Sequence, residues 1–177
     1  MLKKYFPIIT IAVGLIIAGV ILFNSKSIPS KNESAKLPKD KAEKVVDEFV
    51  GEKGDKIELV DGKAEVDAEI FDDGLARYYN VNLSNGDIIY FFVVKDKNGI
   101  YRAAANACQV CFGSKAGFRQ EGEYMICNTC GNAYPLEKIA TEKGGCNPGP
   151  INPNLKVEGG KITITESELE EVSGFFN

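Results

Sequence analysis

All five cysteines of this chain fall in one stretch, as Cys108-x2-Cys111, Cys127-x2-Cys130 and a lone Cys146, and the chain contains no histidine to share their work. A two-residue gap lets one tight turn aim both thiolates of a pair at a single ion, about 2.3 Å away when that ion is zinc. Two such pairs complete a four-thiolate cage. The roughly fifteen residues between Cys111 and Cys127 lie inside the spacing range of four-cysteine sites. Without histidine, haem attachment of the Cys-x2-Cys-His type is impossible, Phe112 standing where the histidine would be, and mixed cysteine-histidine zinc or Rieske ligation is excluded as well. All-cysteine zinc and an iron-sulfur cluster remain, with copper or another soft metal on exposed thiolates behind them. Disulfides are the competing reading, but an odd count and two tight pairs suit it poorly.

The first thirty residues indicate where such a site would work. Lys3 and Lys4 precede an apolar run, Tyr5 to Phe23, broken only by Pro7, Thr10, Gly14 and Gly19. At about 1.5 Å per residue a helix of this length approaches the ~30 Å core of a bilayer. The run exceeds the apolar stretch of an ordinary signal peptide, and no small-x-small cleavage site follows it, so it reads as an uncleaved signal anchor. The lysines before it favour a cytoplasmic N-terminus, and the globular part is then expected outside the cytoplasm on a single span. Residues 1–23 are therefore assigned to a transmembrane helix. Residues 24–38, rich in Ser, Lys, Asn and Pro, form a linker, and residues 39–177 form an extracytoplasmic metal-binding domain.

Within that domain, Lys39 to Val50 carries Ala42, Val45, Val46, Phe49 and Val50 near one helical face, with Gly51 placed to cap it. Strands follow. Asp61-Gly62, Asn85-Gly86, Asn98-Gly99 and Gly159-Gly160 are hairpin signals between the runs Arg77–Leu83, Ile88–Val94, Ile100–Ala105 and Lys161–Thr165. The fold class expected is mainly β, an antiparallel meander feeding two Cys-x2-Cys metal loops of Rieske-like or zinc-ribbon-like arrangement. Ile88 to Val94 is apolar at every position, which predicts a central strand covered on both faces. Thr165 with Glu168 predicts a capping box opening a last helical turn.

The formal net charge of −4 offers no whole-chain field for nucleic acid. Within the cysteine segment Lys115, Arg119, Lys138 and Lys143 balance Glu121, Glu123, Glu137 and Glu142, so a phosphate-gripping ribbon is disfavoured. Nothing matches a Ser-His-Asp set, a phosphate loop or a dinucleotide fingerprint, which points to an electron carrier rather than an independent enzyme.

The stretches Asn106-Ala107-Cys108-Gln109-Val110-Cys111, Gly117-Phe118-Arg119-Gln120-Glu121-Gly122, Cys127-Asn128-Thr129-Cys130-Gly131 and Gly144-Gly145-Cys146-Asn147-Pro148 resemble the membrane iron-sulfur family called FtrD-like, over about residues 75 to 165. Members of that family are associated with iron-permease systems. The resemblance implies an anchored extracytoplasmic redox protein with an iron-sulfur centre. Cys108, Cys111, Cys127 and Cys130 are its implied ligands, Cys146 is the fifth cysteine of the motif, and a redox partner or metal permease is the implied partner. A weaker likeness, of order only, is to the Rieske arrangement, with each histidine-bearing pair replaced by Cys-x2-Cys. Structural zinc in a four-cysteine binding or assembly module is the alternative. Cys146 itself reads as a cofactor-binding residue, with a neighbouring thiol or a small buried residue as the other options. Phe112, Phe118, Tyr124 and Tyr134 are candidates to shield the site, or plain core.

Overall fold

The computed structural model describes residues 48–177. The expected anchor, the linker and the expected helix as far as residue 47 lie outside the described residues. Glu48 to Val50, the end of that helix reading, are not helical. Gly51 does not take the left-handed cap conformation either. It is needed for closeness, since a Cβ there would meet the Ala116 carbonyl oxygen at 2.8 Å. Among the described residues no helix is long and apolar enough to cross a membrane.

Among the described residues, eleven strands in three sheets dominate. The main sheet is ordered β1 (Asp55–Lys56), β3 (Arg77–Asn82), β4 (Ile88–Lys95), β5 (Tyr101–Cys108), β9 (Pro148–Ile151). A second sheet joins β10 (Val157–Glu158), β11 (Lys161–Thr165) and β2 (Lys63–Asp67), and a third joins β6 (Phe118–Glu121), β7 (Tyr124–Cys127) and β8 (Ala133–Pro135). All pairings are antiparallel except that of β1 with β3.

The unbroken apolar run of β4 has its explanation in this layering. Side chains alternate across a strand. Ile89, Phe91 and Val93 therefore enter one core with Ala64, Val66, Ile162, Ile164 and Leu169 from the β2–β11 side. Phe92 and Val94 enter the other, with Phe118, Met125, Leu136 and Ile139 from the third sheet and its continuation. Each fully buried Phe, Ile or Met side chain contributes on the order of 1.5–3 kcal/mol over an exposed one. The third sheet thus docks on the central strand instead of hanging from the domain as a loop.

The hairpin signals act through backbone sign. Gly86 and Gly99 take φ of 93° and 78°, and Asp61 and Gly62 take 50° and 71°, as tight strand connections require. The β4–β5 turn is fixed further by the buried Asp96. Its Oδ1 accepts from the N–H groups of Asn98 (2.9 Å) and Ile100 (3.0 Å), and its Oδ2 accepts from Arg102 Nε at 3.1 Å. The predicted capping box is present. Thr165 Oγ1 accepts from Glu168 N–H and Glu168 Oε2 accepts from Thr165 N–H, opening α1 (Glu166–Glu170).

Candidate metal centre

Three chain segments converge where the third sheet meets the end of β5. Cys108 is the last residue of β5, Cys127 is the last residue of β7, and Cys146 lies two residues before β9. Because β5 pairs directly with β9, with Cys108 opposite Pro148, everything between residues 109 and 147 is an excursion that leaves and rejoins neighbouring strands. A bulge between Ala105 and Cys108 re-aims the end of β5 at that point.

The five thiols fall into two sets of three that share one member. The sulfurs of Cys108, Cys111 and Cys146 lie within 4.8 Å of one another, and so do those of Cys111, Cys127 and Cys130. No pair is joined as a disulfide. Cys108 and Cys127 are buried, Cys111 and Cys146 are half-buried, and Cys130 is exposed.

Each pair is a backbone knuckle. In the first, Cys111 N–H donates to Cys108 Sγ at 3.4 Å. In the second, Gly131 N–H donates to the Cys127 carbonyl at 2.9 Å with Gly131 at φ 73°, the conformation the trailing glycine predicts. The knuckles are tied together by a hydrogen bond between the hydroxyls of Ser114 and Thr129.

Thiols this close compete for their protons. Burial pushes Cys111 well above the ordinary thiol range, aided by Cys108 and Cys130 beside it. Burial also raises Cys127, and Cys146 is raised first by its hydrogen bond with Cys130. Cys130 moves the other way, because the Asn132 backbone N–H stabilises its thiolate. A thiophilic cation replaces those protons and the mutual repulsion together.

Several residues that support the site were not assigned roles from sequence. Asn106 is fully buried in the small apolar run Ala103 to Ala107. Its Oδ1 accepts from Phe118 N–H at 2.7 Å and its Nδ2 donates to the Glu52 carbonyl at 2.8 Å. It therefore latches the strand of the first pair to the sheet of the second. Gly117 must be glycine there, since its φ is 64° and a Cβ would fall 2.5 Å from Asn106 Oδ1. Gln120 carries a matching latch, accepting from Ala76 N–H at 2.6 Å and donating to the Gly74 carbonyl at 2.9 Å. A lone polar residue amid alanines was the available signal for Asn106. Among the aromatic candidates, Phe118 and Tyr134 are buried, while Phe112 and Tyr124 are 39% and 46% exposed and do not seal the site.

The architecture is that of a small β domain with an all-thiolate cluster at the seam of two sheets. Residues 71–176 match the family described as "Membrane iron-sulfur containing protein FtrD-like", and the chain belongs to that family. No curated protein and no solved structure matches it. The donor set fits the family's description: thiolates are the ordinary ligands of iron-sulfur clusters, and five of them meet here with no competing nitrogen ligand. Asn147, next to Cys146, adds a buried Oδ1 without a hydrogen-bond partner among the described residues, an unusual polar cost of about 1–3 kcal/mol at this seam.

Proposed function

We propose that this protein is a membrane-anchored electron carrier whose iron-sulfur centre is held by the thiolates of Cys108, Cys111, Cys127 and Cys130, with its domain outside the cytoplasm. The convergence of both knuckles at Cys111 is the observation that carries the reading. A centre held this way changes by one electron with little rearrangement of its ligands. The chain's own residues supply the rest. Phe118 and Tyr134 cover the inner side and lower the local dielectric, which tunes a cluster's potential, while the exposed Cys130 leaves one edge open to a partner. No histidine or carboxylate stands among the thiols to move a substrate proton, so transfer of electrons suits the site better than acid–base chemistry. The partner proposed is a redox protein or metal permease of the same membrane, on the strength of the family.

The alternative is structural zinc in a non-redox binding or assembly module, which the left-handed Gly131 knuckle also suits. Anaerobically purified protein separates the two. Iron with acid-labile sulfide and a brown colour that bleaches with dithionite supports the carrier, whereas a colourless zinc protein supports the alternative.

The topology is tested separately. With Lys3 and Lys4 ahead of the Tyr5–Phe23 run, protease added to intact cells stripped of their wall is expected to digest the domain. Digestion only after lysis would reverse the orientation.

A further inference from the structure

The sheet, not either knuckle, delivers Cys146 to the thiols. The loop that feeds β9 must pass over the first knuckle, because Pro148 is paired with Cys108. Gly144 and Gly145 turn it there with φ of 87° and 75°, two successive conformations that side-chain-bearing residues rarely adopt.

Two carboxamides then fasten the loop from opposite sides. Gln109, inside the first pair, accepts from Gly144 N–H at 2.8 Å and donates to the Pro148 carbonyl at 3.1 Å. Its own backbone N–H donates to the Asn147 carbonyl at 3.0 Å. Asn132, just past the second pair, donates to the carbonyl of Cys146 itself at 3.0 Å. A small residue that merely filled a turn would need no clamp from both ligand loops. Cys146 has one, and its sulfur is a full member of the set with Cys108 and Cys111.

Five thiolates are one more than a single tetrahedral ion accepts. Five thiolates on one divalent ion would also leave a formal charge of about −3 in a half-buried place, whereas two ions reduce it to about −1, and unbalanced buried charge is costly. Two threes with Cys111 in common match the second arrangement.

We propose that the site binds two metal ions, one through Cys108, Cys111 and Cys146 and one through Cys111, Cys127 and Cys130, with the Cys111 thiolate between them. Cys146 is a ligand, and Gln109 and Asn132 are the positioning residues that hold it. Each thiol gives its proton to solvent as its ion binds. This adds Cys146 to the four ligands named above and divides the five between two ions; it rests on the reading of the site as a metal centre and not on that metal being iron.

Cobalt(II) tests it, since its thiolate charge-transfer absorption counts bound sulfurs whatever the native metal is. Metal-free full-length protein, titrated anaerobically, is expected to take two equivalents of cobalt(II), and Cys146→Ser only one at the same affinity. Gln109→Ala combined with Asn132→Ala is expected to weaken the second equivalent selectively, at least tenfold, and Asn132→Asp, which lacks the donor, should behave as Asn132→Ala does. In the cobalt-loaded wild-type protein all five cysteines should resist iodoacetamide, a measurement that needs no variant to fold. Saturation at one equivalent, or alkylation of Cys146 while the four paired cysteines stay protected, would overturn the proposal. An absence of iron in the purified protein would sink only the iron-sulfur reading, because cobalt stoichiometry would still decide this one.

Discussion

Cys127→Ser is expected to cost the protein the metal held with Cys111 and Cys130 and to lower its melting temperature by about 10 °C or more. Cys127 ends β7, is buried, and belongs to the set with Cys111 and Cys130. A ligand built into the end of a strand couples the metal to the sheet, so binding free energy becomes folding free energy. A loss of several kcal/mol in a domain of this size translates to several degrees for each one. Cys108→Ser and Cys130→Ser should each lose the metal of the set to which the residue belongs, and Cys111→Ser the metal of both. The exposed Cys130 should cost least in packing and Cys111, common to both sets, most in metal. Metal analysis of the purified variants with thermal melts checks this. Full metal content and unchanged melting in any of the four would remove that residue from the centre.

Asp96→Ala is expected to destabilise the domain by about 3–5 kcal/mol although Asp96 touches no cysteine. The substitution leaves the Arg102 guanidinium buried without its partner, the costliest way to break an ion pair. It also removes the acceptor of the Asn98 and Ile100 N–H groups, which shapes the β4–β5 turn. That turn sets the register of β5 on β4, and β5 ends at Cys108. Asp96→Asn should be milder, since an amide oxygen still accepts from the turn while the charge on Arg102 goes unbalanced. Urea unfolding should show a lower midpoint with an unchanged slope. A midpoint shift equivalent to less than about 1 kcal/mol would mean that the turn does not depend on this pair.

What was legible in the sequence is what local chemistry encodes. Strand Ile88–Lys95 announced its central position because both faces needed apolar residues, and it lies third of five in its sheet. Run Lys161–Thr165 and its capping box were legible for similar reasons, since alternation and a Thr-x-x-Glu spacing act within a few residues. The pairing of β5 with β9 was not. Pro-Gly-Pro-Ile carries no strand pattern, and its partner lies some forty residues earlier, so only the assembled sheet shows that Cys146 belongs beside Cys108. The parallel contact of β1 with β3 is two residues long and exposed, too short for any periodicity. Gly51 misled because a glycine after an apolar run suggests a helix cap, whereas here the chain needs it for the approach of Ala116. For the site, cysteine spacing marked the right region, while the carboxamides of Asn106, Gln109 and Asn132 that hold it act across the fold and leave no local mark.

The central claim is that the iron-sulfur centre proposed for these thiolates carries an electron, and voltammetry of the anaerobically purified, metal-replete protein tests it most directly. The predicted result is a reversible one-electron wave, accompanied by a paramagnetic signal in one oxidation state. All-thiolate ligation should place the wave below the range of mixed cysteine-histidine clusters. A metal-replete protein with neither wave nor signal anywhere between about −700 and +450 mV would contradict the account and leave zinc, which has no accessible redox change, in the same cage.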